Sequence, residues 1–163
     1  MFAVIASQME DFRNISKHDR IQKEIVSTCQ DLGIKATQEY RGNGWRADVY
    51  IPNNNKPIAF EIQLSPQTLK RTLDRQSKYI KDGIIGCWFF ENPVSKLNEE
   101  RPDLPLFYVE DQINSRLQVN LSDRRKVDLH TFLQNFISSN IQFKSIAITK
   151  AKQLVSLVFY EME

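Results

Sequence analysis

Residues 84–90, Ile-Ile-Gly-Cys-Trp-Phe-Phe, contain no charged side chain and no alternation of polar with apolar positions. A strand of this composition has no face to give to water, so it belongs inside a sheet covered on both sides. The covers have to come from amphipathic helices, and the sequence before the run supplies two. Ser65-Pro66 offers an N-cap followed by a proline at the first helical position. From there to about residue 82, Leu69, Leu73, Gln76 and Ile80 fall on an inner face, and Gly83 is the stop. An earlier helix over 17–32 follows from His18, Ile21, Ile25, Cys29 and Leu32 at steps of three and four, capped by Ser16 and ended by Gly33. Between the helices, segments 36–41, 46–51 and 57–63 are rich in β-branched and aromatic residues and are separated by Gly42-Asn43-Gly44 and Asn53-Asn54-Asn55. The order is α-β-β-β-α-β, an α/β fold with a mixed central sheet flanked by helices.

Beyond this core (16–91), residues 91–105 hold Pro93, Pro102 and Pro105 among charges and read as a long loop. A C-terminal strand and helix extension follows over 106–163, with strands at 106–109 and 116–121 and a helix at 127–138. In the tail, 147–155 has a helical pattern and 155–160 a strand pattern. No repeat or glycine-serine linker divides the 163 residues, so one domain is expected.

The chain has 22 Lys plus Arg and 20 Asp plus Glu, a net charge of +2. That balance excludes a basic arm that coats nucleic acid by charge alone, but not a local basic stripe. The longest apolar run is far short of the roughly 20 residues that span a bilayer, so no membrane partner is expected. Nor does any Lys or Arg precede Arg13, as a secretory signal would require. Cys29 and Cys87 are spaced for neither a zinc site nor a disulfide framework, and read as buried thiols in a reducing, cytoplasmic setting.

Chemistry gathers on the second and third strands. Alternation sends Arg46, Asp48 and Tyr50 to one side and Ala47, Val49 and Ile51 to the other; in the next strand Ile58, Phe60 and Ile62 face the core, opposite Ala59, Glu61 and Gln63. If the two strands form a hairpin closed by residues 53–56, Tyr50 opposes Ala59 and Asp48 opposes Glu61, with Cβ atoms about 5 Å apart. Adjacent carboxylates repel unless something neutralises them. A divalent metal held through oxygen, magnesium or manganese, is one solution; pairing with Arg41, Arg46 or a cation on a helix is another. On the outward face of the following helix, Arg71, Arg75 and Lys78 form a basic stripe beside Tyr79, either a phosphate-binding surface or a solvated helix face.

The runs Arg46-Ala47-Asp48-Val49 and Phe60-Glu61-Ile62-Gln63-Leu64-Ser65-Pro66, then Arg75, Tyr79, Gly83 and Trp88, resemble the nuclease domain of the competence protein CoiA-like family, within the PD-(D/E)XK superfamily. The resemblance covers about residues 16–91 and implies a restriction-endonuclease-like αβββαβ core. It further implies a magnesium-dependent deoxyribonuclease in which Asp48, Glu61 and the carbonyl of Ile62 hold the ion. Gln63 stands where most of the superfamily has a catalytic lysine; being neutral, it can orient a water but lends no charge. His18, Gln22 or Glu24 on the first helix correspond to polar residues placed near the metal, with Glu24 the first choice because it lies one residue off the apolar face. Arg46, Arg71, Arg75, Lys78 and Tyr79 are the expected DNA contacts, with Arg71 or Arg75 steadying the charge that develops on the phosphate. Two rivals are a non-catalytic DNA-binding module and a module for a protein partner in a DNA-processing or defence assembly, both built on the same fold.

Overall fold

The computed structural model describes residues 15–53, 56–91, 104–111, 116–121 and 125–138, and the backbone of 141–145 and 158–162. The chain runs α1 (Lys17–Asp31), β1 (Thr37–Arg41), β2 (Arg46–Ile51), β3 (Ile58–Gln63), α2 (Leu69–Lys81), β4 (Ile85–Phe90), β5 (Leu106–Glu110), β6 (Gln118–Asn120), β7 (Lys126–Asp128) and α3 (Leu129–Ile137). β8 (Ile141–Ser145) and β9 (Val158–Met162) pair antiparallel as a separate two-stranded sheet. β1 to β7 form one sheet in sequence order; β3, β4 and β5 are parallel and the outer pairs antiparallel. This is the α-β-β-β-α-β order and mixed sheet read from the sequence.

β4 occupies the centre, as its composition requires. Cys87 and Phe89 join one core with Ile21, Ile25 and Cys29 of α1 and Phe132, Leu133 and Phe136 of α3. Trp88 and Phe90 join a second core under α2, with Ala47, Ala59 and Tyr79. Phenylalanine rings lock the first core: Phe107 meets Phe132 edge-on at 4.7 Å between centroids, and Phe89 meets Phe60 at 5.4 Å. Each such ring contributes about 1.5–3 kcal/mol through burial. Among the described residues, no helix is long and apolar enough to cross a membrane, and both cysteines are buried and free.

Several boundaries and faces differ from expectation for local reasons. Ser16 caps α1, its hydroxyl accepting the Asp19 N–H at 3.1 Å. Ser65 does not cap α2, which begins four residues later at Leu69; its carbonyl accepts from the Gln63 amide at 2.7 Å. Thr68 takes that place, its carbonyl accepting the Thr72 N–H. The buried stripe of α2 consequently runs through Thr72, Gln76 and Tyr79, while Ile80 is 65% exposed. At the other end, Val127 is in a strand and Asp128 caps α3 through the Thr131 N–H. The expected loop at 91–105 and tail helix at 147–155 fall largely or wholly outside the described residues.

α2 approaches the sheet at Gly86, where an added Cβ would overlap the Gln76 amide and crowd the Tyr79 ring. Gln76 is itself fixed, its Oε1 accepting the Trp88 indole N–H at 2.8 Å. Gly86→Ala is therefore expected to lower stability by about 1–3 kcal/mol, read as a reduced urea midpoint. A midpoint equal to the wild type would mean that α2 can lift away without loss.

Candidate functional site

The β2–β3 hairpin has the register that alternation predicts: Ile51 pairs with Ile58, Tyr50 with Ala59 and Val49 with Phe60. One step further along, Asp48 and Glu61 come together. There Asp48 Oδ2 accepts the N–H of Ile62 at 2.7 Å. Neither acid lies on a solvated face: Asp48 is 6% and Glu61 1% exposed.

Strict alternation fails at this point. Ala47 packs under α2 with Tyr50, three residues away, rather than with Val49 and Ile51. The slip coincides with Glu39 on β1, which has φ 51° and lies between the pairs Gln38–Val49 and Tyr40–Ala47. A left-handed residue in a strand turns the chain locally. Glu39 and Gln38 both reach Gln22 on α1, and Asp48, across from Glu39, reaches His18 at 3.2 Å. Asp48 thus contacts α1 while Glu61 lies beneath α2.

Glu61 is held on both oxygens. Oε2 accepts from the Arg75 guanidinium and Oε1 from the Tyr79 hydroxyl, which also lies 2.9 Å from the Arg46 carbonyl. Arg75 in turn lies over the Trp88 ring at 5.3 Å. Burial, and then the charge of Asp48, push the Glu61 carboxyl up to about 8, outweighing the Arg75 charge and the Tyr79 bond. For Asp48 the balance is reversed. Burial raises it, but the bonds from His18 and the Ile62 N–H, with the charges of His18 and Arg75, hold it below the ordinary carboxylate value. The Asp48 bond raises His18 against the opposing effect of burial. Burial and mutual repulsion thus push the two acids apart, Glu61 upward and Asp48 downward.

A cleft of about 970 Å³ opens over Asp48. Its walls include His18, Gln63, Arg71, Arg75, Lys78 and Tyr79, along with Arg46 and Ile62. Arg75 and Tyr79 do not project to solvent as the predicted stripe had them: Tyr79 is fully buried and Arg75 is turned inward onto Glu61. Gln63 lines the cleft with its amide tied to the Ser65 carbonyl and hydroxyl. Glu24 is elsewhere, its carboxylate accepting the Leu117 N–H at 2.8 Å, because that position on α1 faces β6. Of the three polar residues considered on α1, His18 reaches the acid pair. Among the described residues, no group of three His, Cys, Asp or Glu side chains is arranged to hold a metal. Trp45 and Arg41, also on the cleft wall, were not singled out from sequence as site residues. Their one cue was proximity to the Arg46-Ala47-Asp48 run across a glycine-rich turn.

The raised Glu61 acid has a measurable consequence. The folded chain retains a proton there that the unfolded chain releases near the ordinary carboxylate value, so stability falls as pH rises from that value to about 8. His18, raised in the fold, adds a loss in the same direction as it deprotonates. In chelator, the urea midpoint of the wild type is expected to fall between about pH 5.5 and pH 9. Glu61→Gln should flatten that fall and leave the smaller part due to His18. An unchanged slope in the variant would show that Glu61 is ionised throughout.

No curated protein and no solved structure matches the chain significantly. The family described as "Competence protein CoiA, nuclease-like domain" matches residues 16–161, which takes in α1, the acid pair, the cleft and the C-terminal strands beyond the 16–91 segment that carries the sequence resemblance. The chain belongs to that family.

Proposed function

We propose that the chain is a divalent-metal-dependent nuclease that hydrolyses phosphodiester bonds in DNA. The observation that carries this reading is the Asp48–Glu61 pair, two buried carboxyl groups beside a cleft walled by Arg46, Arg71, Arg75 and Lys78. Membership of a nuclease-like family supports it.

The donor chemistry fits magnesium or manganese. Both side chains offer hard oxygen ligands, and the repulsion between them, which raises Glu61, is what a bound cation would relieve. Asp48, Glu61 and the Ile62 carbonyl are the residues that would hold the ion. When bound, it supplies a Lewis acid and a more acidic water.

The remaining roles belong to the chain itself. His18 and the Ile62 N–H keep Asp48 ionised and oriented. Gln63, anchored at Ser65, presents its amide carbonyl as an acceptor for a water proton. Arg75 balances Glu61 in the resting protein, and an incoming phosphate competes for the same guanidinium. Transfer of Arg75 to the phosphate frees Glu61 Oε2 and places a cation on the scissile group, a contribution that Gln63 cannot make. Arg71 and Lys78 position the backbone without reading sequence.

One observation favours the rival reading of a binding module without turnover. Arg75 and Tyr79 already occupy both oxygens of Glu61, and a chain in which they never release it would bind DNA and no metal.

Cleavage of DNA in magnesium or manganese is expected to fall at least about a hundred-fold in Asp48→Asn and in Glu61→Gln, with circular dichroism unchanged. Equal cleavage by both variants and the wild type would overturn the assignment. Metal binding followed by calorimetry is expected to strengthen as pH rises toward about 8, because the Glu61 proton must leave first. Proton release that matches between buffers of different ionisation enthalpy would confirm the exchange; no binding heat at any pH would favour the module without turnover.

A further inference from the structure

A file of aromatic rings leads away from the acid pair. Tyr79, whose hydroxyl touches Glu61, meets Trp45 edge-on with centroids 5.4 Å apart. Trp45 lies 5.8 Å from Tyr50 and 5.9 Å from Tyr40, and Tyr40 stacks on Tyr50 at 4.2 Å and 14°. The file passes from a buried end to an open one: Tyr79 is 1% exposed, Trp45 and Tyr50 are half-buried and Tyr40 is 38% exposed.

The Trp45 ring is seated by three separate features. A Cβ on Gly42 would overlap its six-membered ring, so only glycine allows the turn to close beneath it. Its indole N–H donates to Asp82 at the end of α2. Lys78, from the same helix, donates to the Gly44 carbonyl at 3.1 Å and ties down the turn that carries the ring. Trp45 and Tyr50 pack partly buried against the core under α2, and the Tyr40 end of the file faces solvent.

Cations accompany the rings. Arg41, Arg46, Arg71 and Lys78 line the cleft of which Trp45 is a wall. Aromatic faces beside such a row suit a nucleic-acid strand whose bases are unpaired, since the phosphates track the charges while bases stack on the rings. A duplex keeps its base faces to itself and presents phosphates and groove edges. On charge alone the duplex, with twice the phosphates per unit length, would be the tighter ligand.

We propose that the exposed ring of Tyr40, backed by Tyr50 and adjoining Trp45 on the cleft wall, is a base-stacking platform and that the cleft takes single-stranded DNA in preference to duplex. The proposal rests on the nuclease reading for the nature of the ligand, and adds to it the class of substrate.

The test is binding without cleavage. Fluorescence anisotropy of a labelled oligothymidylate, with the full chain in EDTA at low salt, is compared with an abasic deoxyribose-phosphate oligomer of equal length and with an equally long duplex. Oligothymidylate is expected to bind about ten-fold or more tightly than either. Tyr40→Ala, with an unchanged circular dichroism spectrum as the check on folding, should remove most of that advantage and leave the affinity for the abasic oligomer unchanged. Equal binding of all three ligands, with a steep salt dependence, would overturn the platform and leave phosphate recognition standing. Preference for the duplex, or wild-type behaviour of Tyr40→Ala, would also overturn it. No binding of any of the three at low salt would remove the platform and the nuclease reading together.

Discussion

Two carboxyl groups packed side by side between a sheet and its covering helices cannot both be charged without a neutralising partner, and much of the surrounding sequence supplies partners. Asp48 has His18 and the Ile62 N–H; Glu61 has Arg75 and Tyr79. The partners come from three elements, so the acid pair ties α1, β3 and α2 to the same point. Replacing such a pair with apolar residues of equal volume is often neutral or stabilising. The arrangement is thus better explained by chemistry than by stability.

The inner face of α2 reflects the same constraint. A helix covering a sheet ordinarily turns leucine or isoleucine inward; here Leu69 and Leu73 do pack partly buried on the core, but the fully buried positions are Thr72, Gln76 and Tyr79, and Ile80 is in solvent. Tyr79 fits where Ile80 would not, because its ring fills the apolar space between Trp45 and the sheet while its hydroxyl reaches Glu61. Gln76 satisfies the Trp88 indole, and Gly86 lets the helix come close enough for both contacts. Arg75, placed on Trp88, is steadied by the ring on one side and the carboxylate on the other. A polar inner stripe is therefore what allows a charged residue to be buried beneath a helix.

Periodicity made the framework legible. An all-apolar β4, alternating β2 and β3 and an asparagine-rich turn were enough to place Asp48 beside Glu61, because register follows from which side chains must be inside. The faces were less legible where one residue broke the rule. A left-handed Glu39 carries no sequence mark, being neither glycine nor asparagine, and beside it Asp48 reaches His18 and Ala47 packs toward α2. Glu24 was preferred to His18 by its angle on the helix, but angle says nothing of height along the axis; the first turn of α1, not the second, meets the cleft. Likewise Thr68 and Ser65 are both good caps by type. Thr68 is the one whose side chain accepts the Arg71 N–H and whose carbonyl accepts the Thr72 N–H, while the Ser65 carbonyl meets the Gln63 amide.

The net charge of +2 conceals this organisation. Cations meet at one cleft, and the acids beside them are either buried in pairs or already engaged, as Glu39 is with Arg46. In the proposed reading, moving the cationic role from the strand position of Gln63 to Arg75 on α2 has a mechanistic consequence. A lysine beside the acids would remain near them whether or not substrate was present. Arg75 bonds Glu61 through one nitrogen and has further N–H donors for a phosphate, so an arriving phosphate can draw it from the carboxylate and open Glu61 to metal. Weak nonspecific attraction, which the small net charge dictates, is then compatible with a site that completes itself on its substrate.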